Sequence, residues 1–566
     1  MSTTFVSHLT DKPEDGLVLY DPNTVETYRG NGLWNGRALA AELLDAAEKA
    51  AANPAITTAD ESLTYRDLVD RAKDFARGTI ATTDLRSGDV VMFQMGNVIE
   101  TVVSYLGFLF AGVKPVCTLP QHGTREIRVL AEHTGSRTLI VQCDFAGGRL
   151  REQARSLSAD GPIDTVIAVR GSIEGAVDYA DVLAAGRAAN DLDLPGLSVN
   201  PLGIAVFQLS GGTTGLPKVA PRLHEEYAYN ARIWADAMAY RQSNTVVYAL
   251  PLMHNAGISL AVQPAILAGA HLVLLPDAGI DGLLDAIETY PLITIPLVPP
   301  ALAVRLLETP RATETDFGSV ANFVVGGQRL PVEVAEQLRD KLGINVRQMF
   351  GMAEGLFTLT PADADEYVRY QTVGSPISPH DDVRILMPGS EDEVVDGEVG
   401  EFCARGPYTI RGYYRADAHN AAAFTSDGFY RTGDLSRRHV RDGRIFYSIE
   451  GRIKDVINRG VEKIHAEEVE EVIVRHPDIV NVAVVAMSDR VLGEKACAYL
   501  VLEPGAADMT VEVLAQYLLD HGLAKYKFPE RVEVVAEFPL TNVGKVSKKL
   551  LREDVERRLH DEEADR

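Results

Sequence analysis

The chain is poor in cysteine, in positive charge and in long apolar runs. Its 566 residues hold four cysteines, Cys117, Cys143, Cys403 and Cys497, far apart and without CxxC or metal-ligand spacing. That excludes a disulfide scaffold and a thiolate metal site, and leaves small core residues of a reducing compartment. Lys and Arg number 55 against 80 Asp and Glu, a formal net charge of −25. Such a balance disfavours nonspecific contact with nucleic acid or an anionic membrane, so an anionic ligand must be gripped by a local site. No apolar run reaches the length of a membrane span. The start, Met1-Ser2-Thr3-Thr4-Phe5, has neither a basic stretch nor an apolar core, so no signal peptide is expected and the expected location is the cytoplasm. What remains is ordinary globular composition, 46% hydrophobic and 24% charged, in a chain too long for one core.

Residues 210–218, Ser210-Gly211-Gly212-Thr213-Thr214-Gly215-Leu216-Pro217-Lys218, are the most informative stretch. They follow Gly203-Ile204-Ala205-Val206-Phe207-Gln208, which reads as a short buried strand. Glycines let backbone N–H groups turn toward an anion, hydroxyls add donors, and Lys218 adds charge. The usual P-loop has Gly directly before Lys and Ser or Thr after it; here Pro217 and Val219 flank Lys218. A bare Gly/Ser/Thr cluster is more often a polar surface loop. The Pro-Lys ending and the motifs downstream favour a polyphosphate site.

From about residue 60, strand-like runs (Val90–Phe93, Thr138–Val141, Val246–Leu250, Leu272–Leu275, Phe323–Val325) alternate with helix patterns such as 98–110, 282–289 and 301–308. The alternation predicts α/β layers with parallel sheets. Residues 381–450 change to short strands and the turn signals Asp427-Gly428 and Asp442-Gly443, which predict a small β-barrel-like unit. From Lys454 a compact α+β pattern begins, so the expected domains are 1–453 and a smaller 454–566. Asp561 to Arg566 read as a solvated tail.

Further motifs fall in order: Gln348-Met349-Phe350-Gly351-Met352-Ala353-Glu354, Tyr430-Arg431-Thr432-Gly433-Asp434-Leu435, Glu450-Gly451-Arg452-Ile453-Lys454-Asp455, and Thr541-Asn542-Val543-Gly544-Lys545. Together they resemble the adenylate-forming superfamily of acyl-CoA synthetases, nonribosomal adenylation enzymes and beetle luciferases, over nearly the whole chain. Pro251-Leu252-Met253-His254-Asn255 and the stretch Gly406 to Tyr414 are most similar to the stand-alone aryl acid–AMP ligases, typified by 2,3-dihydroxybenzoate–AMP ligase.

The resemblance implies a carboxylate attacking the α-phosphate of ATP, with Mg²⁺ bridging the phosphates. It assigns the loop Ser210 to Lys218, with Thr213 and Thr214, to the β- and γ-phosphates. Glu354 takes the metal, Gly351 borders the nucleotide, and Asp434, with Arg452 nearby, accepts the ribose hydroxyls. Lys545 meets both the carboxylate and the α-phosphate, and Lys454 is the hinge about which a mobile C-terminal domain turns for thioester formation.

For the acid, the resemblance assigns His254, Asn255, Ala256, Leu260, Gly326, Gly327 and Met349, with Asn255 bonded to the ring's ortho substituent. His254 joins Thr213 and Lys545 as expected catalytic residues. Dihydroxybenzoate members carry Tyr at the position of Ala256 and a polar Ser at that of Leu260. Leu260 offers a ring 3-hydroxyl no partner, and a site that leaves a buried hydroxyl unpaired selects against it. The expected acid is therefore ortho-substituted and salicylate-like, or a bicyclic heteroaryl. Val461 replaces the second glycine of the family's Gly-Gly beside the phosphopantetheine tunnel, which leaves the thioester step open. The sequence contains no carrier domain, so the expected acceptor is a separate phosphopantetheinylated carrier protein, with coenzyme A as the alternative. A catalytically silent nucleotide binder is the remaining reading, opposed by Lys218, Glu354, Asp434 and Lys545.

Overall fold

The computed structural model describes residues 14–210, 217–328, 330–459, 462–489, 492–521, 523–541 and 545–564. They form two compact units: Met1–Asp382 with Ala404–Tyr430, and Val383–Cys403 with Arg431–Arg566. The boundary anticipated at 453/454 lies inside the second unit, because the short strands of 383–403 and 431–452 cluster with the C-terminal segment.

The first unit holds a nine-stranded and a seven-stranded sheet among its described residues, parallel in their centres with antiparallel pairs at edges. Central strands such as Val90–Gln94, Thr138–Gln142 and Thr245–Tyr248 are almost wholly buried, as the continuous apolar runs require of sheets covered on both faces. The helix anticipated at 98–110 is Ile99–Ala111, ended by Gly112 in the left-handed conformation. Asn97 ties two strand ends together: its amide donates to Leu250 O and Leu275 O, both at 2.9 Å, while its oxygen accepts from Leu252 N. The backbone leading to His254 is thus fixed at the carboxyl edge of the sheet, where α/β folds place ligands.

Strands Ile204–Ser210 and Lys218–Leu223 pair antiparallel, with Ser210 opposite Lys218. Next to this hairpin the Arg222 and Glu226 side chains form a fully buried ion pair at 2.8 Å, with the Arg222 guanidinium 4.4 Å over the Tyr227 ring. Arg222 also donates to Ala353 O and Tyr408 O. Burial raises the Glu226 pKa against the opposing pull of Arg222, and removing one partner would leave an uncompensated charge at a cost of about 3–5 kcal/mol.

In the second unit, Asp382–Leu386, Val399–Arg405, Tyr430–Arg441 and Arg444–Arg452 form a four-stranded sheet. Asp442 and Gly443, both with positive φ, make its tight turn as the Asp-Gly signal implies. A further sheet contains the long pair Ile479–Asp489 and Gly493–Leu502, flanked by helices Ala466–Ile473 and Val511–Asp520. The tail read from Asp561 onward is a correction: the last helix runs Lys548–Ala564. Glu562 holds this end by accepting two hydrogen bonds from the Arg531 guanidinium.

Candidate active site

The two ends of the expected phosphate loop, Ser210 and Lys218, stand opposite each other on the ladder. Gly211, Gly212, Thr213, Thr214 and Gly215 lie outside the described residues, as do Gly460 and Val461. Lys218 Nζ is 2.8 Å from His419 Nε2 and 5.0 Å from the centroid of the Tyr413 ring. An ammonium only donates, so the His419 nitrogen accepts and its proton sits on Nδ1. Burial and Lys218 hold the imidazole below its usual range, with Glu354 opposing.

Glu354 sits in the tight turn between strands Val346–Met352 and Gly355–Leu359 and is 4% exposed. Gly355 has φ +117°, and a Cβ there would lie 2.2 Å from Tyr408 O, so only glycine permits this close approach. The turn is pinned by Ile410 N donating to Glu354 O at 2.8 Å and by Arg222 on Ala353 O. The Tyr413 hydroxyl donates to the Glu354 carboxylate and lies 2.7 Å from the Tyr430 hydroxyl. Tyr413 therefore touches Lys218 with its ring face and Glu354 with its hydroxyl. Among the described residues no group of three or more His, Cys, Asp or Glu could hold a metal unaided. A single hard carboxylate suits Mg²⁺, which takes its other oxygens from phosphate and water.

The expected acid-side residues gather on the same unit. His254 Nδ1 accepts from Ala256 N at 3.2 Å, and Asn255 is buried. Asn255 Oδ1 accepts from the Tyr227 hydroxyl at 3.0 Å, and that hydroxyl accepts from Gln208 Nε2 at 3.0 Å. Its amide nitrogen reaches Met352 O at 3.5 Å. Leu260 lies in a π-helical stretch, Gly257–Val262, and with Ala256 and Met349 is buried in one apolar cluster. Gly326 pairs with Met349, where a Cβ would come within 2.6 Å of Met349 Cγ; Gly327 follows with φ +88°, and a Cβ on Gly351 would crowd Met349 Cε.

The second unit carries the other expected residues. Asp434, 7% exposed, stands opposite Arg452 on the neighbouring strand, and its backbone N donates to Thr432 Oγ1. Lys545 N donates to Thr541 Oγ1 and Thr541 N to Lys545 O, fixing the lysine's backbone in a turn. The residue is exposed in surface area. Lost hydration and then Arg452 lower its pKa, with Asp434 opposing. Lys454 is exposed in a short 3₁₀ turn, Ile453–Asp455, whose carbonyl at 454 and carboxylate at 455 both accept from Arg552 of the last helix. Lost hydration and then Arg452 lower the Lys454 pKa.

Sequence reasoning missed His419, the bridging role of Tyr413, and the Gln208–Tyr227 support of Asn255. Tyr413 lies inside the stretch Gly406 to Tyr414 that carries the resemblance, but no spacing there marks a bridge to Lys218 and Glu354; for His419 the signal was an unexplained His within the otherwise alanine-rich stretch 416–423.

A family model described as AMP-binding enzyme matches residues 43–414, and one described as AMP-binding enzyme C-terminal domain matches 468–545. The chain is 37% identical to the 2,3-dihydroxybenzoate-AMP ligase of Bacillus subtilis (strain 168) over 548 residues, covering 96% of this chain and 98% of that protein. It is 38% identical to a salicylyl-CoA synthase / salicylate adenylyltransferase of a Streptomyces species over 550 residues, with the same two coverages. Its fold is similar to that of ATP-bound MatB from Rhodopseudomonas palustris, at TM-score 0.81 and 26% identity over 91% of this chain and 98% of that one.

Proposed function

The chain belongs to the AMP-binding enzyme family, the ATP-dependent adenylate-forming ligases, and on that premise we propose that it activates an ortho-substituted aryl carboxylic acid. In the first step a carboxylate oxygen of the acid attacks the α-phosphorus of ATP. The bond to the β-phosphate oxygen breaks, and pyrophosphate leaves with the electron pair. In the second step a phosphopantetheine thiolate attacks the acyl carbon and AMP departs. The arrangement that carries this reading is Tyr413 joining Lys218 to Glu354, a cation and a carboxylate held around one ring.

In that reading Lys218 and the loop before it meet the charge on the leaving pyrophosphate. Glu354 would hold Mg²⁺, which when bound offsets phosphate charge. Asp434 accepts from the ribose hydroxyls while Arg452 keeps its carboxylate oriented. Lys545 donates to the acid and the α-phosphate, and 454–566 turns about Lys454 before the thioester step. Asn255, held by Tyr227, bonds the ortho substituent, and buried Leu260 leaves a 3-hydroxyl unpaired. Salicylate-like and bicyclic heteroaryl acids fit best. The acceptor is a separate carrier protein. Coenzyme A is the second reading, favoured by the similarity to a salicylyl-CoA synthase. The four buried cysteines agree with work in the reducing cytoplasm.

The test is acid-dependent ATP–pyrophosphate exchange across benzoate, salicylate, 2,3-dihydroxybenzoate, methylsalicylates, picolinates and quinaldates, with Lys545→Ala as control. Strong exchange with an ortho-substituted aryl acid, lost in the variant, supports the reading; exchange with aliphatic or amino acids alone overturns it. Thioester formation with coenzyme A against holo carrier protein then decides the acceptor.

A further inference from the structure

Helix Asp417–Ala423 carries two side chains that reach the loop residue Tyr413. Asn420 brackets the Tyr413 backbone: its Oδ1 accepts from Tyr413 N at 2.8 Å and its Nδ2 donates to Tyr413 O at 2.9 Å. One residue back, His419 meets the Lys218 ammonium at 2.8 Å, and its ring lies 5.1 Å from that of Tyr413. The lysine ammonium is thus met by both an imidazole nitrogen and an aromatic face.

We propose that His419 is a positioning residue for the phosphate-facing cation, holding the Lys218 ammonium in place before the nucleotide binds and without cancelling its charge. The inference rests on the reading of Lys218 as the cation that meets the pyrophosphate. A free lysine side chain carries about 2 kcal/mol of rotamer entropy, and restraining it beforehand removes part of that cost from binding. The chemistry of the restraint matters. A carboxylate in the place of His419 would hold the lysine more tightly, but it would neutralise it and repel the incoming phosphates. A neutral ring nitrogen accepts one hydrogen bond and leaves the positive charge available. The Asn420 bracket sets the helix, and so the imidazole, against Tyr413, whose hydroxyl reaches Glu354. His419 acts only through Lys218 and touches no reacting atom.

The experiment compares His419→Gln with His419→Met in the full-length enzyme. The two replacements are close in length and volume, but only Gln supplies an oxygen acceptor. Exchange kinetics give KM for MgATP, KM for the acid and kcat, and calorimetry gives Kd for MgATP. His419→Met is expected to raise KM and Kd for MgATP about tenfold, the scale of one hydrogen bond to a charged group. The acid KM and kcat should stay within about threefold. His419→Gln should return the nucleotide values to within about threefold of the parent. Equal nucleotide affinity in parent and Met variant overturns the proposal, as does a Gln variant as weak as Met, or a loss confined to kcat. If the parent exchanges with no acid, the aryl-ligase reading falls, while the MgATP affinities of the two variants still decide the role of His419.

Discussion

Arg452 faces Asp434 across an antiparallel strand pair, with Nε 2.5 Å from one carboxylate oxygen and Nη2 3.3 Å from the other. The fork occupies part of each oxygen's lone-pair capacity and fixes the plane of the carboxylate. What is left can accept from a vicinal diol.

Asp434→Asn keeps the size and removes the charge, so Arg452 loses its partner and a ribose loses a charged acceptor. Hydrogen bonds to charged groups contribute about 1.5–3 kcal/mol, which sets the expected loss in kcat/KM for ATP at about 10–100-fold. Exchange titrated with ATP checks it, and an unchanged kcat/KM would remove Asp434 from the nucleotide site.

Lys545→Ala should lower the adenylation rate by on the order of 10²–10³, as for loss of a donor aimed at developing charge. The pH profile is a sharper check. Lost hydration and Arg452 depress the Lys545 pKa below the usual lysine value, about 10.4. The ammonium is present below that depressed pKa and is lost as pH rises through it. Activity should therefore fall on the alkaline side sooner than an ordinary lysine would dictate. Lys545→Arg should move the fall upward whatever residual rate it keeps.

Leu260→Ser places a hydroxyl where the parent offers only carbon. It should raise kcat/KM for 2,3-dihydroxybenzoate relative to salicylate by about tenfold, the worth of pairing one buried hydroxyl. A ratio that stays at the parent value in exchange assays means Leu260 does not meet the ring's 3-position.

His224 is buried with its Nδ1 accepting from Leu39 N at 3.3 Å. Burial, helped by Lys114, pushes its pKa down to about 3. The unfolded chain takes up this proton near the ordinary value of about 6.5, the folded one only near 3. The stabilising contribution is thus present above pH 6.5 and fades between there and pH 3, at up to about 1.4 kcal/mol per pH unit. Urea melts of His224→Asn between pH 7 and 4 should show a shallower decline than the parent, and parallel declines would refute it.

The alternation of buried strands and helices was legible because both periods are local: Thr138–Gln142 and Ile99–Ala111 differ from their anticipated bounds by a residue or so. The order of the site motifs was legible for the same reason. The Lys218–His419 contact was not, since it joins residues 201 apart in sequence through a helix only seven residues long. The last helix outran its expected end because Glu562 pairs with Arg531, a partner from a distant strand that no local pattern discloses. The domain boundary also depended on distant pairing: strands 383–403 join later strands, not the preceding sheet.

The pairing of Ser210 with Lys218 gives the Lys218 backbone a fixed address on the sheet. A change within Ile204–Ser210 or Lys218–Leu223 that slipped this register by one residue would turn the Lys218 side chain to the opposite face of the sheet.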